Sequence, residues 1–361
     1  MAGALDGIKV LDLSRVLAGP WASQLLADLG ATVIKVEKPG AGDDTRHWGP
    51  PNLPDGTAGY FLAANRGKQS ITVDITQPEG RAIVQQLAAE ADVLLENYKV
   101  GGLKKYGLDY PTLKAINPHL VYCSITGFGQ TGPLAHRPAY DIIVQAMSGL
   151  MEATGEPNGA PTLVGEAVSD VVAGLFASWA TLAALLQAQR TGDGQHVDVA
   201  MFDTTLSFLV TAVGRYIFTG QPAGRHGNRH AFSAPFGVYR AADGHFALAV
   251  LNNKLFATLV QLIGQPALAS DARFATDELR SAHEPVLAAA IEQWAQQHPV
   301  AEVVRQLEAA GVPGGPLWNT AQALESEHAQ ARGLLRAVDD PRVPGLRVPT
   351  QPVKFGGAAP N

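Results

Sequence analysis

The residues in this chain best set up to do chemistry are Ser169-Asp170, immediately ahead of its most apolar stretch, Val171 to Leu186. That stretch is long enough for a buried helix of about four turns. An aspartate at such a junction has two readings. As an N-cap, its carboxylate accepts a bond from an orphaned N–H. As a nucleophile, it is ionised at neutral pH without help, since its reference pKa is about 3.9. The helix N-terminus then supplies N–H groups and partial positive charge to any oxyanion formed beside it. The two readings share a geometry, and the residues alone leave both open.

Other chemistries are excluded motif by motif. Gly67-Lys68 resembles the end of a P-loop, but Gln69 follows and Leu62 stands where glycine is needed. The first βα turn, Ala18-Gly19-Pro20, lacks G-x-G-x-x-G, so a nicotinamide dehydrogenase is unsupported. His283-Glu284 begins like a zinc-protease motif, yet Leu287 occupies the second histidine position. No G-x-S-x-G nucleophile elbow occurs. Hydrolase, kinase-type and metal readings weaken together.

The elements that must position Asp170 read as α/β. Ile8 to Leu13 and Ala31 to Val36 are short apolar runs flanking a helix, with Pro20 in its first turn and Gly30 at its C′ position. The alternation continues through a strand ending at Thr72-Val73, a helix from Pro78 to Ala91, a strand at Asp92–Glu96, a helix from Tyr110 to Ile116 and a strand at Leu120–Ile125. Such alternation implies a parallel sheet covered by helices. Ligands of these sheets sit outside the carboxyl ends of the strands. The loops there are 15–20, 37–46, 97–106 and 126–140, and basic residues gather in them; solvated surface charge is the plain alternative for any single one.

Beyond the apolar helix come a strand from Gln195 to Met201 and a helix from about Asp203 to Phe218. A break dense in Gly, Pro, Arg and His follows. A hairpin around Asp243-Gly244 and helices near 253–263, 284–297 and 299–310 then read as a small α+β domain. The last residues, from Gly333, are punctuated by Pro and Gly with short β-like pieces.

Composition sets outer limits. The 361 residues hold two or so domains, and a single cysteine, Cys123, permits neither an intramolecular disulfide nor a cysteine zinc site. A reduced, cytoplasmic setting is expected, with Cys123 as strand packing. The net charge of −6 argues against nucleic acid as a partner. No apolar run reaches the ~18 residues of a membrane span, so no membrane partner is expected.

Six ordered motifs resemble the family III CoA-transferases. They are Arg15-Val16-Leu17-Ala18-Gly19-Pro20, Leu29 to Glu37, Gly42-Asp43-Asp44-Thr45-Arg46, Glu96-Asn97-Tyr98, Gly127 to Pro133 and Ser169 to Gly174. The resemblance implies a Rossmann-like parallel-sheet large domain, a smaller α+β domain and an interlocked homodimer. It divides the chain into a large CoA-binding domain at 1–219, a linker at 220–232, a small domain at 233–330 and a segment at 331–361 returning to the large domain. Family members usually continue past Pro352 with a last helix, so Asn361 is expected to be an early end.

The resemblance also implies that Asp170 is the nucleophile. It attacks the thioester of a donor acyl-CoA, and the sequence of anhydride and aspartyl-CoA thioester hands CoA to an acceptor acid. No metal or permanently bound cofactor is implied; coenzyme A is substrate. CoA contacts carry over to Arg15, Val16, Ala18, Lys38, Val73, Asn97, Tyr98, Lys105 and Met201, with Arg137 nearby. Leu17, Tyr60 and Tyr140 fall at the acyl pocket. Core packing is the plain alternative for Tyr98 and Met201. Gly224 to Asn228 is expected as a mobile cover or a flexible linker.

Departures separate the branches. Racemases of the family need a His and a Glu to move an α-proton; the matching positions here are Tyr140 and Asn253. Leu17 stands where oxalate-using members usually carry Gln, and 126–133 with 137–141 look closer to the branch taking CoA from succinyl-CoA to dicarboxylates. The rival readings are a 2-methylacyl-CoA racemase or isomerase and a non-catalytic acyl-CoA-binding protein.

Overall fold

The computed structural model describes residues 3–341 and 343–356 and divides into two compact units. Unit 1 contains residues 1–151, 163–223 and 327–361, and its framework follows the expected alternation. Strands β1 (Lys9–Asp12), β2 (Thr32–Glu37), β3 (Lys68–Thr72), β4 (Val93–Glu96), β5 (Val121–Thr126) and β6 (His196–Ala200) form one sheet in the order β3-β2-β1-β4-β5-β6. Every neighbouring pair runs parallel. The order reverses between β1 and β4, which opens a crevice at their carboxyl ends.

The helices are α1 (Ala18–Asp28), α2 (Gly59–Asn65), α3 (Pro78–Glu90), α4 (Tyr110–Ile116), α5 (Asp141–Met147), α6 (Val168–Thr191), α7 (Met201–Phe208) and α8 (Val210–Thr219). Gly30 follows the α1 C-cap at φ +104°, a conformation that costs little only without a Cβ. Period-two alternation splits the strands between two cores. Val10, Val33, Val93, Leu95 and Cys123 face α1 and α6, while Leu11, Leu13, Leu94 and Tyr122 join the layer with Val84 of α3 and Leu113 of α4.

Unit 2 contains residues 152–162 and 224–326. Its antiparallel sheet joins β7 (Phe236–Arg240), β8 (His245–Ala249) and the short β9 (Gly314–Pro316), in that order. Helices α9 (Asn253–Leu262), α10 (Asp277–Ala282), α11 (Glu284–Ala295) and α12 (Val300–Ala309) accompany it, and Tyr239, Phe246, Phe256, Ile291 and Leu307 share one core.

Four details depart from the sequence expectation. Residues 152–162 cluster with unit 2 because Gly227 N–H donates to Gly155 O at 2.8 Å and Arg225 pairs with Glu152 at 2.6 Å. Residues 224–232 are not a free linker: Val238 N–H donates to Asn228 O at 3.0 Å and His230 N–H to Phe236 O at 2.9 Å. The helix expected over 203–218 is two helices, broken where Leu209 takes φ −78°, ψ 46°. Finally, α6 is long and apolar enough for a membrane span by length and composition, although it packs as a core helix against α1, β5 and β6. The expected early end at Asn361 lies outside the described residues.

Candidate active site

Helix α6 starts at Val168 with Ala167 as its N-cap, so Asp170 sits inside the first turn and is not the cap. That removes the capping reading. The N–H of Ser169 donates instead to Asp141 Oδ1 at 2.7 Å, a carboxylate borrowed from the first position of α5. Gln145 Nε2 holds the other oxygen of Asp141 at 2.6 Å. The helix start is thus satisfied by a second acid, which leaves the Asp170 carboxyl uncommitted to capping.

Burial pushes the Asp170 carboxyl up to about 7, and the charge of Asp141 adds to the rise, while a hydrogen bond from the Ala18 N–H opposes it. The carboxyl is therefore not ionised without help, as its type alone suggests; it titrates near neutrality. Tyr60 feels Asp170, Glu166 and Asp141 together, after burial, and its hydroxyl is pushed up to about 12, so it stands as a neutral donor or acceptor.

The start of α1 lies close to Asp170 because α1 and α6 pack tightly. Gly174 makes that possible: a Cβ there would lie 2.8 Å from Ala18 O and 2.8 Å from Trp21 Cδ1. Gly174 is one turn beyond Asp170, so the same face of α6 carries the acid and admits the helix that bonds it.

The crevice outside β1, β2 and β4 gathers several expected residues. Arg15, Lys38 and Tyr98 line one cavity with Asp44. Asn97 brackets Arg15, accepting from its N–H at 2.9 Å and donating to its carbonyl at 2.6 Å. The Arg15 guanidinium lies 5.7 Å from the Tyr98 ring centre. Both cations are tethered by one acid, Asp44, at 3.4 Å from Arg15 and 2.9 Å from Lys38. Val16 takes φ 68°, a left-handed conformation that costs a β-branched residue about 1–3 kcal/mol.

The remaining expected residues are more dispersed. Leu17 is the N-cap of α1 and buried, and Tyr140, before Asp141, is 66% exposed. Val73 and Met201 are buried in the two cores of unit 1. Lys105 lies over the Tyr106 ring, and Arg137 over Phe128. Asn253, in unit 2, accepts from Arg280 at 2.9 Å.

Several residues escaped the sequence reading: Asp141, Gly174, Asp44 and the buried cation Lys35. Lys35 alternates with Val33 and Glu37 on the inward side of β2, so its period alone demands a buried partner. That partner is Asp43, at 2.9 Å. Glu37 is likewise inward; burial would raise its carboxyl, but bonds from Arg46, Ser70 and the Asp43 N–H hold it down to about 2.

Known proteins resemble this chain along nearly its whole length. The family model described as "CoA-transferase family III" matches residues 5–361. A succinate–glutarate CoA-transferase of Agrobacterium fabrum is 46% identical, the match covering 96% of this chain and 88% of that one. An acetyl-CoA:oxalate CoA-transferase of Acetobacter aceti is 45% identical over 98% of this chain and 90% of its own. A crystal structure of a CAIB/BAIF family protein from Brucella suis superposes with a TM-score of 0.90 at 45% identity, covering 99% of this chain and 94% of that one.

Proposed function

The chain belongs to CoA-transferase family III, and from that premise we propose that it moves CoA from succinyl-CoA to a dicarboxylic acid, with Asp170 as the nucleophile. It is an acyl-CoA:carboxylate CoA-transferase, and CoA thioesters are its substrates. Glutarate and oxalate, named in the two relatives at 46% and 45% identity, are both dicarboxylates, so the class rather than the acid is the conclusion. Transfer rather than racemisation also suits Tyr140 and Asn253, neither of which serves as a carboxylate or imidazole base.

The single observation that carries the mechanism is the half-buried Asp170 carboxyl in the first turn of an apolar helix, beside the backbone of Ala18. Ionised Asp170 attacks the donor thioester carbonyl, expelling CoA thiolate and leaving a mixed anhydride. The thiolate attacks the aspartyl carbonyl, which releases the donor carboxylate and leaves an aspartyl-CoA thioester. The acceptor carboxylate attacks that carbonyl, again expelling thiolate, and the thiolate takes the acceptor acyl group and regenerates Asp170. No proton is consumed, and each bond broken is replaced by another activated acyl bond. The Ala18 N–H would bond the oxyanion formed twice on the aspartyl carbonyl.

In this reading Arg15, Lys38, Asn97 and Tyr98 bind CoA, with Val16, Val73, Lys105, Arg137 and Met201 as further contacts. Tyr60, Leu17 and Tyr140 border the acyl group. The reading includes a homodimer, supported by apolar surface on α6 and α8: Trp179 is 66% exposed and Ile217 69%. It also includes a cytoplasmic location, which the lone buried cysteine suits.

The test is mass spectrometry of the enzyme mixed with succinyl-CoA and hydroxylamine, beside a panel of dicarboxylic acids. A hydroxamate on Asp170 and new CoA thioesters are expected. A fully active Asp170→Ala variant would sink the mechanism.

A further inference from the structure

We propose that the buried Lys35–Asp43 pair is a positioning device for catalysis, holding Val16 in its left-handed conformation and thereby fixing the first turn of α1 against the start of α6, where Asp170 sits. The proposal rests on Asp170 being the nucleophile.

Val16 is the one non-glycine residue with positive φ among the described residues. Its N–H donates to both oxygens of Asp43, each at 3.3 Å. Asp43 in turn meets Lys35 Nζ at 2.9 Å, with both side chains 1% exposed. The same ammonium donates to Ser14 O at 2.8 Å, two residues before Val16. Asn97 grips Arg15 through its N–H and carbonyl. Residues 14, 15 and 16 are therefore pinned in succession from β2, from the loop after β4 and from the loop after β2. Two residues later comes Ala18, which opens α1 and whose carbonyl abuts Gly174, one turn from Asp170 on α6.

A buried ion pair is a poor way to gain stability, because apolar residues of similar volume often do as well or better. A strained β-branched residue costs stability outright. Both persist here in one connected segment that ends on the nucleophile, and positioning accounts for both.

The test is steady-state kinetics and thermal melting of full-length D43N, V16G, their combination, and the double variant K35M/D43L. D43N is expected to lower kcat about tenfold while KM for succinyl-CoA changes less than threefold. V16G lowers kcat by itself, but in its background D43N costs less than threefold, because glycine takes the left-handed conformation without the Asp43 acceptor. K35M/D43L melts within a few degrees of the parent yet loses kcat like D43N. Additive effects of V16G and D43N, or a K35M/D43L protein with parental kcat, would overturn the proposal. If K35M/D43L does not fold, the V16G and D43N cycle alone decides. D170A, assayed beside them, separates the two ideas: an active D170A defeats the nucleophile assignment, whereas an inactive D170A with a parental D43N defeats only the positioning role.

Discussion

Gly174 faces the carbonyl of Ala18 across the α1–α6 contact, and a Cβ on it would stand only 2.8 Å from that oxygen. Asp170, one turn earlier, owes its closeness to the Ala18 backbone to a residue that has no side chain. Specificity of this site therefore begins with helix spacing and not with the reactive group.

Gly174→Ala should push α1 away from α6. Overpacking of this kind costs about 1–3 kcal/mol of stability. The start of α1 would also move away from Asp170, so kcat should fall about tenfold, equivalent to ~1.4 kcal/mol of barrier. Melting curves together with single-turnover rates of aspartyl-CoA formation check it; unchanged single-turnover rates would contradict the role of the close approach.

Activity should depend on pH through Asp170. In the proposed mechanism the attacking form is the carboxylate, so kcat/KM is expected to rise with pH through a midpoint near 7. Asp141→Asn keeps an acceptor for the Ser169 N–H but removes the like charge, and should move that midpoint downward. A midpoint unmoved by D141N would show that burial alone sets it.

Stability should run the other way. Burial holds the folded Asp170 carboxyl at about 7, against 3.8 for an ordinary aspartate, so the folded state holds its proton more tightly than the unfolded chain. Its stabilising contribution is complete below about 3.8 and is lost as pH rises through about 7. Asp170→Asn removes this loss, so its melting temperature should exceed the parent's at pH 8 and converge with it at pH 4.

Asp44 tethers Arg15 and Lys38, and their bonds to it hold its carboxyl below the usual range. A phosphate of CoA arriving at these cations must compete with it. The pairs are exposed, each worth ~0.2–1 kcal/mol. Asp44→Asn should therefore tighten CoA binding by up to about fivefold, as titration calorimetry would read. Weaker binding would mean that Asp44 orients the cations and does not compete for them.

The apolar surface of α6 and α8 gives a prediction about assembly. Paired substitution of Trp179 and Ile217 by Glu, at 66% and 69% exposed positions, should impair assembly, read as a smaller dimer fraction in sedimentation and a lower melting temperature. Monomeric parent protein would contradict the homodimer.

Local signals made the sheet legible. Alternation of short apolar runs with capped helices gives the strands of unit 1, because each signal lies within a few residues of the element it specifies. Asp170 was legible for the same reason, standing just before the apolar run of α6. Its protonation was not, since the burial and the Asp141 charge that raise it come from elsewhere in the chain. Capping of α6 by a carboxylate 28 residues upstream leaves no local pattern either. The segment 152–162 misled for a related reason: only hydrogen bonds to residues about seventy positions later assign it to unit 2. Lys35 was readable in principle, as a charge on the inward phase of a strand, and its partner Asp43 lies eight residues on.

Cys123 lies fully buried in the α6-facing core, where burial pushes its thiol up to about 12. The chain has no other cysteine. In the proposed mechanism a CoA thiolate is liberated at every half-reaction, and the chain presents no accessible cysteine of its own for that thiolate's disulfide to capture. Oxidised CoA and maleimide reagents should therefore leave Cys123, and with it the protein, covalently unmodified.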